Sequence, residues 1–544
     1  MPKISIFEKD LTNPATVELS DNIVYVPGYA VMGPVNTPTL CTSVDDFESI
    51  FGTLPYTFLN TYSYPTSFDT SAKSSGSFVV KDEYEKSYIY AIELLKNGLP
   101  VYYERVMSEA KIAAFQASKS FVFTASTEGT DTFNILAKNP GRYGTSITYS
   151  ISKLDTSKYS LVVTITKGNA IPETVTETLI ISFDTSSEYY YANVTSDLVT
   201  LTITGTIPVA EDIVLTIPEG EASGNLALPS TTLSTTDEFV PQEMYDRMND
   251  TIYTTIEDKS TYNIKFITSG AYPTFEYNSN SVVIKMLQSA GIRGDALAVI
   301  DHTNVINRVL TGNNSVYNSL QNLNSVIVGE GTKQEDARKY GAMFTPYAIY
   351  NSTVLNKKVI LPASFAYLNS LAESVKTYEN WYAVAGVTRG LVPNFVQPIQ
   401  VITGAICDKY QTESAISINP VIYVNSYGYC IWGNRTLNKD TDLVASSFLN
   451  IRSISNDVKK LVYKTAQALT FELNSDILWL TFRSKIEPTL DKMVSGNGLS
   501  NYKLIKKTST KKATIEAIIR LYAIEAVENW DITIELADNY VSVE

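Results

Sequence analysis

A single histidine, three cysteines and 57 carboxylates are the groups through which this chain of 544 residues could do acid–base, nucleophilic or metal chemistry. One imidazole cannot build a histidine-rich metal site or serve several catalytic dyads. His302 follows Asp301 at the end of the apolar run Ala296 to Ile300, so a structural histidine at a strand end is expected. A Ser-His-Asp triad would have to use it, and no GxSxG elbow accompanies it. Cys41, Cys407 and Cys430 are odd in number and far apart in a chain too long to need staples, and read as reduced core thiols. The sequence contains no HExxH, no paired CxxC, no GxGxxG and no Walker A spacing, so zinc, dinucleotide and ATP readings lack their usual residues. At Gly33-Pro34 the prolines at 34 and 38 remove backbone donors that a phosphate cradle needs, which leaves a structural turn. Scattered acids can always be paired on paper. No catalytic, cofactor-binding or metal-binding residue is therefore assigned, no cofactor is expected, and the chain is read as a protein that is not an enzyme.

The elements that would have to position any chemistry point to a multidomain body. At about 150 residues per domain the length suggests about three domains. With 44% hydrophobic and 18% charged residues the chain can build cores and is not a disordered one. No run approaches the roughly 18 apolar residues of a membrane helix, and the opening MPKISIFEKDLT lacks the order of a secretion signal. Folding in the cytoplasm, without membrane insertion, is the expectation. The first residues, with Ile4-Ser5-Ile6 alternating and Pro14 following, read as an arm. Ile23 to Val26 reads as a strand, Asp45 to Phe51 as a short helix closed by Gly52, Tyr84 to Leu95 as a helix stopped by Asn97-Gly98, and Val101 to Val106 as a strand. From Lys111 to Val240 the runs Ser160 to Thr166, Thr178 to Phe183 and Leu198 to Thr204 are rich in Thr, Val and Ile between turns, the pattern of an antiparallel β domain inserted into an α/β body. Mixed structure resumes with Ala296 to Ile300, a helix over Pro362 to Thr377 and a strand at Val421 to Val424.

The C-terminal part carries the clearest helix. Ser455 or Asn456 can cap it; Val458, Leu461, Val462, Thr465, Ala468 and Leu469 line one face, and Lys460, Lys464 and Gln467 the other. A second run, Ser475 to Ile486, meets Pro488, which can open another short helix. Asp531 to Leu536 alternates strictly, with Ile532, Ile534 and Leu536 on one side. From Ile451 to Arg520 there are 13 Lys or Arg and 6 Asp or Glu, a net of +7 in a chain of −14, which leaves −21 for the rest. Such asymmetry suits an acidic partner or a contact between unlike parts of identical subunits, more than nucleic acid. For the charged helix a solvated face over an ordinary core stands beside a contact surface. For the last strand, an edge in its own domain stands beside pairing with a neighbour.

The stretches Val24 to Gly52, Ser87 to Val106, Asn139 to Ile147, Asp295 to His302, Tyr340 to Tyr350 and Ile418 to Leu437 together resemble those of contractile tail sheath proteins of myovirus-type phages and related injection machines. VYVPGYAVMGPVNTPTLCTSVDDFESIFG, Val24 to Gly52, resembles the family's opening, and SYIYAIELLKNGLPVYYERV, Ser87 to Val106, the helix, turn and strand after it. NPGRYGTSI from Asn139 resembles the step into an inserted domain, DALAVIDH from Asp295 an apolar strand, and YGAMFTPYAIY from Tyr340 an aromatic strand. INPVIYVNSYGYCIWGNRTL, Ile418 to Leu437, is the strongest match; LNIRSI and FELN sit where the family carries its C-terminal helical signature, although Arg452-Ser453 replaces its doubled arginine.

The resemblance implies a mixed α/β multidomain body with an inserted antiparallel β domain and extended arms. Its expected parts are an N-terminal arm (1–20), a body in two parts (21–110 and 241–400), an inserted outer β domain (111–240), a C-terminal domain facing the tube (401–530) and a C-terminal arm strand (531–544). It implies a homo-oligomer of stacked hexameric rings in a helical sleeve around an inner tail tube, with baseplate and tail terminator proteins as further partners, contracting to deliver a genome. The location implied is the virion tail, assembled in the host bacterial cytoplasm, with no direct nucleic-acid contact. The arms, through Ile4, Ile6, Ile532, Ile534 and Leu536, would add strands to neighbouring subunits. Lys459, Lys460 and Lys464 are the candidate tube contact. A phage-derived injection system is the near alternative, and a surface-layer or adhesin-type β-rich protein the alternative of another class.

Overall fold

The computed structural model describes residues 22–53, 83–123, 131–155, 157–167, 173–205, 215–230, 241–272, 280–302, 327–328, 335–399, 401–402, 407, 410, 417–438, 444–508 and 513–527. The chain opens with β1 (Val24–Gly28), β2 (Thr39–Cys41), α1 (Val44–Phe51), α2 (Glu83–Lys96) and β3 (Val101–Arg105). Ser43 caps α1 by accepting the Asp46 amide, and Gly52, at φ +76°, closes it, so both ends follow from local chemistry.

After α3 (Glu109–Ala114) come the strands β4 (Ser118–Val122), β5 (Thr132–Ala137), β6 (Thr148–Lys153), β7 (Lys158–Lys167), β8 (Glu173–Ser182), β9 (Val199–Thr204) and β10 (Ser223–Asn225). They form a three-stranded sheet, β4-β5-β9, and a four-stranded one, β10-β6-β7-β8, wholly antiparallel. Alternate residues such as Phe133, Ile135, Tyr159, Leu161 and Val163 enclose a core of their own.

The chain then continues through α4 (Pro241–Asp250), α5 (Ile252–Thr255), β11 (Phe266–Ile267), α6 (Asn280–Arg293), β12 (Leu297–Asp301), β13 (Ile327–Val328), β14 (Glu335–Asp336), β15 (Gly341–Thr345), β16 (Ala348–Ser352), β17 (Lys357–Leu361), α7 (Ala363–Ser374), α8 (Gly386–Arg389), β18 (Phe395–Pro398), β19 (Ile418–Val424) and β20 (Gly428–Ile431). Eight strands make the central sheet in the order β2-β3-β1-β11-β12-β15-β19-β20. Its six inner strands are parallel and each edge strand is antiparallel. Both faces are covered, which is why β1 and β12 read as unbroken apolar runs. Val24, Val26, Leu297, Val299 and Phe344 point to the layer holding α1, α2 and α7. Tyr25, Ile267, Ala298, Ile300 and Met343 point to α4, α5 and α6.

The chain ends, as far as it is described, in α9 (Leu449–Ala468), α10 (Asp476–Ser495) and a hairpin of β21 (Leu499–Lys507) and β22 (Glu516–Ala523). Two expectations are corrected here. α9 begins at Leu449 behind Phe448 and not at Ser455 or Asn456, because its first turns are buried all round and show no amphipathic stripe. α10 runs through Pro488 as one helix: proline frees only the Ser484 carbonyl, and Ser484 and Pro488 both face solvent. Ser475 caps α10 by accepting the Leu478 amide.

Candidate assembly surface

His302 and the three cysteines, the residues singled out for chemistry, are all buried. His302 is buried, which pushes its imidazole down to about 4, and its ring lies 6.0 Å from that of Tyr410. The three thiols are buried and form no disulfide, and burial pushes Cys41 up to about 12. Among the described residues no cluster of three or more His, Cys, Asp or Glu could hold a metal, and no helix is long and apolar enough to cross a membrane.

Asp301, at the end of β12, accepts from the Ser364 amide (2.7 Å) and hydroxyl (3.0 Å) at the start of α7. Burial pushes its carboxyl up to about 7 against those two bonds. A carboxyl whose folded value exceeds its unfolded one adds stability below the unfolded value and loses it as pH rises through the folded value. Asp301→Asn should therefore gain in melting temperature relative to the parent as pH rises from 4 to 7. A constant difference across that range would show Asp301 to be ionised throughout.

The helix α9 carries Lys460, one of the three lysines singled out from the sequence, into the protein, whereas Lys459 stays exposed. Chain segments entering β11 and β12 leave carbonyls with no ladder partner, and buried carbonyls need donors. Lys460 is buried and donates to the Ile264 carbonyl (2.6 Å) and Asn263 (3.1 Å), and Asn456 donates to the Ala296 carbonyl (3.2 Å). Lys459 donates to the Gly294 carbonyl (2.9 Å) and the Tyr340 hydroxyl (3.0 Å). Burial pushes the Lys460 ammonium down to about 7 and that of Lys459 to about 8. Between them, Asp457 pairs with Lys265 at 2.9 Å, with side chains only 3% and 2% exposed. The expectation that Lys460 lies on a solvated polar face is thus corrected: that part of α9 is a polar seam against the sheet. Lys464, one turn further, is exposed.

The FELN stretch, Phe471 to Asn474, lies in the turn between α9 and α10, and its exposure gave no signal in the sequence. Phe471 sits there in the left-handed region, φ +73°, and is fully exposed. A bulky residue seldom adopts that conformation, which turns commonly assign to Gly or Asn. Leu473, Ile477 and Leu480 are also exposed nearby, at 86%, 74% and 59%. Opposite faces of the hairpin differ. Tyr502, Leu504, Leu521 and Ala523 pack onto α10, whereas Lys503, Ile505, Lys507 and Arg520 face outward. Ile4, Ile6, Ile532, Ile534 and Leu536 lie outside the described residues.

No family model matches the chain. The tail sheath protein of Enterobacteria phage T4 is 26% identical over 171 residues, 31% of this chain and 24% of the relative. That of Vibrio phage KVP40 is 27% identical over 162 residues, 29% of this chain and 22% of the relative. Each match thus spans about a quarter of the relative's length. Among solved structures, the sheath tail protein of Listeria innocua has the same fold at a TM-score of 0.50 and 9% identity, over 93% of this chain and 96% of that one. In sequence the chain is thus similar to two tail sheath proteins over about a third of its length, and it shares the fold of a sheath tail protein over nearly all of it.

Proposed function

We propose that the protein is the structural subunit of a contractile sleeve: copies stack as hexameric rings around an inner tube, between a baseplate and a terminator, and contract to drive the tube through a host envelope. The observation that carries this reading is kinship to tail sheath proteins in sequence together with a sheath fold over 93% of the chain. The protein then works by assembly, as a virion tail component built in the host cytoplasm, and the energy resides in the lattice. Terminal arms would link copies by adding strands, through Ile4 and Ile6 at one end and Ile532, Ile534 and Leu536 at the other. Electron microscopy of the purified full chain should show long sleeves, and a chain ending at Trp530 should remain folded and monomeric. Normal sleeves from the shortened chain would assign the last strand to its own domain; monodisperse full chain at all concentrations would remove the sleeve reading.

Residues 111–240 are proposed to be an outward-facing, replaceable domain. Their strands pair only with one another among the described residues and surround a separate core. The two connections to the body are held side by side: Glu243 accepts from the Ser108 amide (2.7 Å) and pairs with Lys111 (2.8 Å). Deleting residues 116–230 and bridging the gap with a short glycine–serine linker should leave sleeve formation intact. A deletion that folds, judged by circular dichroism, yet never polymerises would place this domain in the lattice contacts.

A further inference from the structure

Three stretches far apart in sequence, Gly33 to Asn36, Glu104 to Val106 and Asn139 to Gly141, meet at one side chain. Arg105 ends β3 and is fully enclosed. Its Nη1 donates to the Gly33 carbonyl (3.1 Å), in the turn after β1, and to the Pro140 carbonyl (2.7 Å), between β5 and β6. The chain leaves the body just beyond this point, where Asn36 acts as a short piece of strand. Its side chain accepts from the Met107 amide (3.1 Å) and donates to the Met107 carbonyl (2.8 Å), and its own amide donates to the Arg105 carbonyl (2.8 Å). The turn on the far side is held by its own contacts. The Tyr143 hydroxyl accepts from the Asn139 amide (3.1 Å) and donates to the Asn139 carbonyl (2.8 Å), and the Gly141 amide donates to the Phe115 carbonyl (2.9 Å). Gly141 has φ +143°, which side chains rarely allow, so a glycine sets the peptide that presents the Pro140 carbonyl.

No apolar core joins the two parts that Arg105 links. The hydrophobic clusters on the two faces of the central sheet contain no residue of 111–240, and the cluster of the β segment contains none outside it. Parts that share no core move against each other unless other contacts hold them. The pair Lys111–Glu243 is one such contact, but its side chains are 17% and 21% exposed, so water and salt weaken it. Arg105 is 0% exposed. Its bonds are charge-assisted, roughly twice as strong as neutral ones, and lie beyond the reach of salt.

Resting on the reading of residues 111–240 as a separate domain, we propose that Arg105 is the joint that fixes this domain at one orientation on the body. One nitrogen with two hydrogens serves one carbonyl from each part, so neither part can turn without breaking a buried bond. Released from Arg105, the domain swings about its two connections, which leave the body side by side at Ser108 and Glu243.

The test uses the full-length chain with spin labels at Ser49→Cys on α1 and Thr178→Cys on β8, both exposed, diluted into unlabelled chain so that only distances within one copy are read. The three native thiols are buried and stay unlabelled. The parent should give one narrow distance. Arg105→Met keeps the apolar stem and removes the donors, and should widen the distribution at least about twofold, as for parts joined only by their connections. Gly141→Ala reaches the same bond from the other side by turning the Pro140 carbonyl, and should widen it too. Glu243→Gln, at the part-exposed pair, should widen it far less. Amide exchange in β7 and β12 should stay unchanged in all three, which separates a loosened joint from an unfolded domain. Should Arg105→Met fail to fold, Gly141→Ala alone decides. A wide distribution in the parent, an unchanged width in Arg105→Met and Gly141→Ala, or a widening in Glu243→Gln as large as in Arg105→Met would each overturn the joint. Widening that comes only with lost protection in β7 would make Arg105 part of that domain's fold and overturn it as well. A narrow distance that depends on Arg105 in a chain without sleeves would leave the joint standing and remove the sleeve reading; sleeves from a chain whose distance ignores Arg105 would do the reverse. The separate domain fails on another result, a deletion of residues 116–230 that cannot fold.

Discussion

Asp457→Ala should cost about 3–5 kcal/mol, because it leaves the Lys265 ammonium buried without its counter-charge. The pair is 192 residues apart in sequence and 2.9 Å apart in space, and both side chains are almost wholly enclosed. Their neighbours are the donors that α9 supplies to the entries of β11 and β12, so a loosened pair frees Lys460 and Asn456 as well. In a chain of several cores the loss is read locally. Native-state hydrogen exchange should show protection of the α9 amides falling by about two to four orders of magnitude, at about 1.4 kcal/mol per decade. Lys265→Met with Asp457→Leu removes both charges at similar volume and should restore most of that protection. Unchanged protection in the single variant would mean that α9 does not depend on the pair.

Phe471→Ser with Leu473→Ser should abolish co-sedimentation of sleeves with tube while leaving the sleeves themselves intact. With Lys460 turned into the protein, the proposed tube contact is left to the exposed Lys459 and Lys464 and the apolar tip between α9 and α10. Burying large apolar side chains contributes roughly 1.5–3 kcal/mol each, so losing two weakens a contact by about two to four orders of magnitude. An exposed lysine contributes about 0–1 kcal/mol, so Lys464→Glu should weaken co-sedimentation far less, and mainly at low salt. Phe471 is fully exposed and adds little to the core, so the melting temperature should hold. Sleeves lost together with tube binding would make the tip a contact between copies, and unimpaired co-sedimentation would put the tube elsewhere.

Local chemistry made much of the body legible. A capping Ser43 and a closing Gly52 bound α1, and Asn97-Gly98 stops α2. The unbroken apolar run of β12 announced a strand buried on both faces. The central sheet's neighbours were not legible: β1 lies between β3 and β11, although β11 follows it by some 240 residues. Pairing over that distance leaves no trace in a window of a dozen residues.

Helix α9 shows the limit most clearly. Its apolar positions predicted a helix with a core side, and the structure has one, in which Val458 and Leu461 join Ile486 and Leu490. The same reasoning put Lys460 on the polar face beside Lys464 and Gln467, and there it failed; Asn456, read as a possible cap, and Asp457 are buried with it. A polar side chain is stable inside when a partner satisfies it, and here the partners are carbonyls and a lysine about 160–200 residues away.

By itself the sequence carried charge segregated along the chain, Thr-rich β runs between segments of mixed structure, and motifs similar to those of tail sheath proteins. Each of these is local, or a sum over residues, and survives without coordinates. Only the tertiary structure decided which lysines face outward, that an aromatic residue is held out at the tip of the helix pair, and that Lys503 opposes Arg520 across the hairpin. The direction of a side chain depends on what packs against its element, and that is set by parts of the chain far away in sequence.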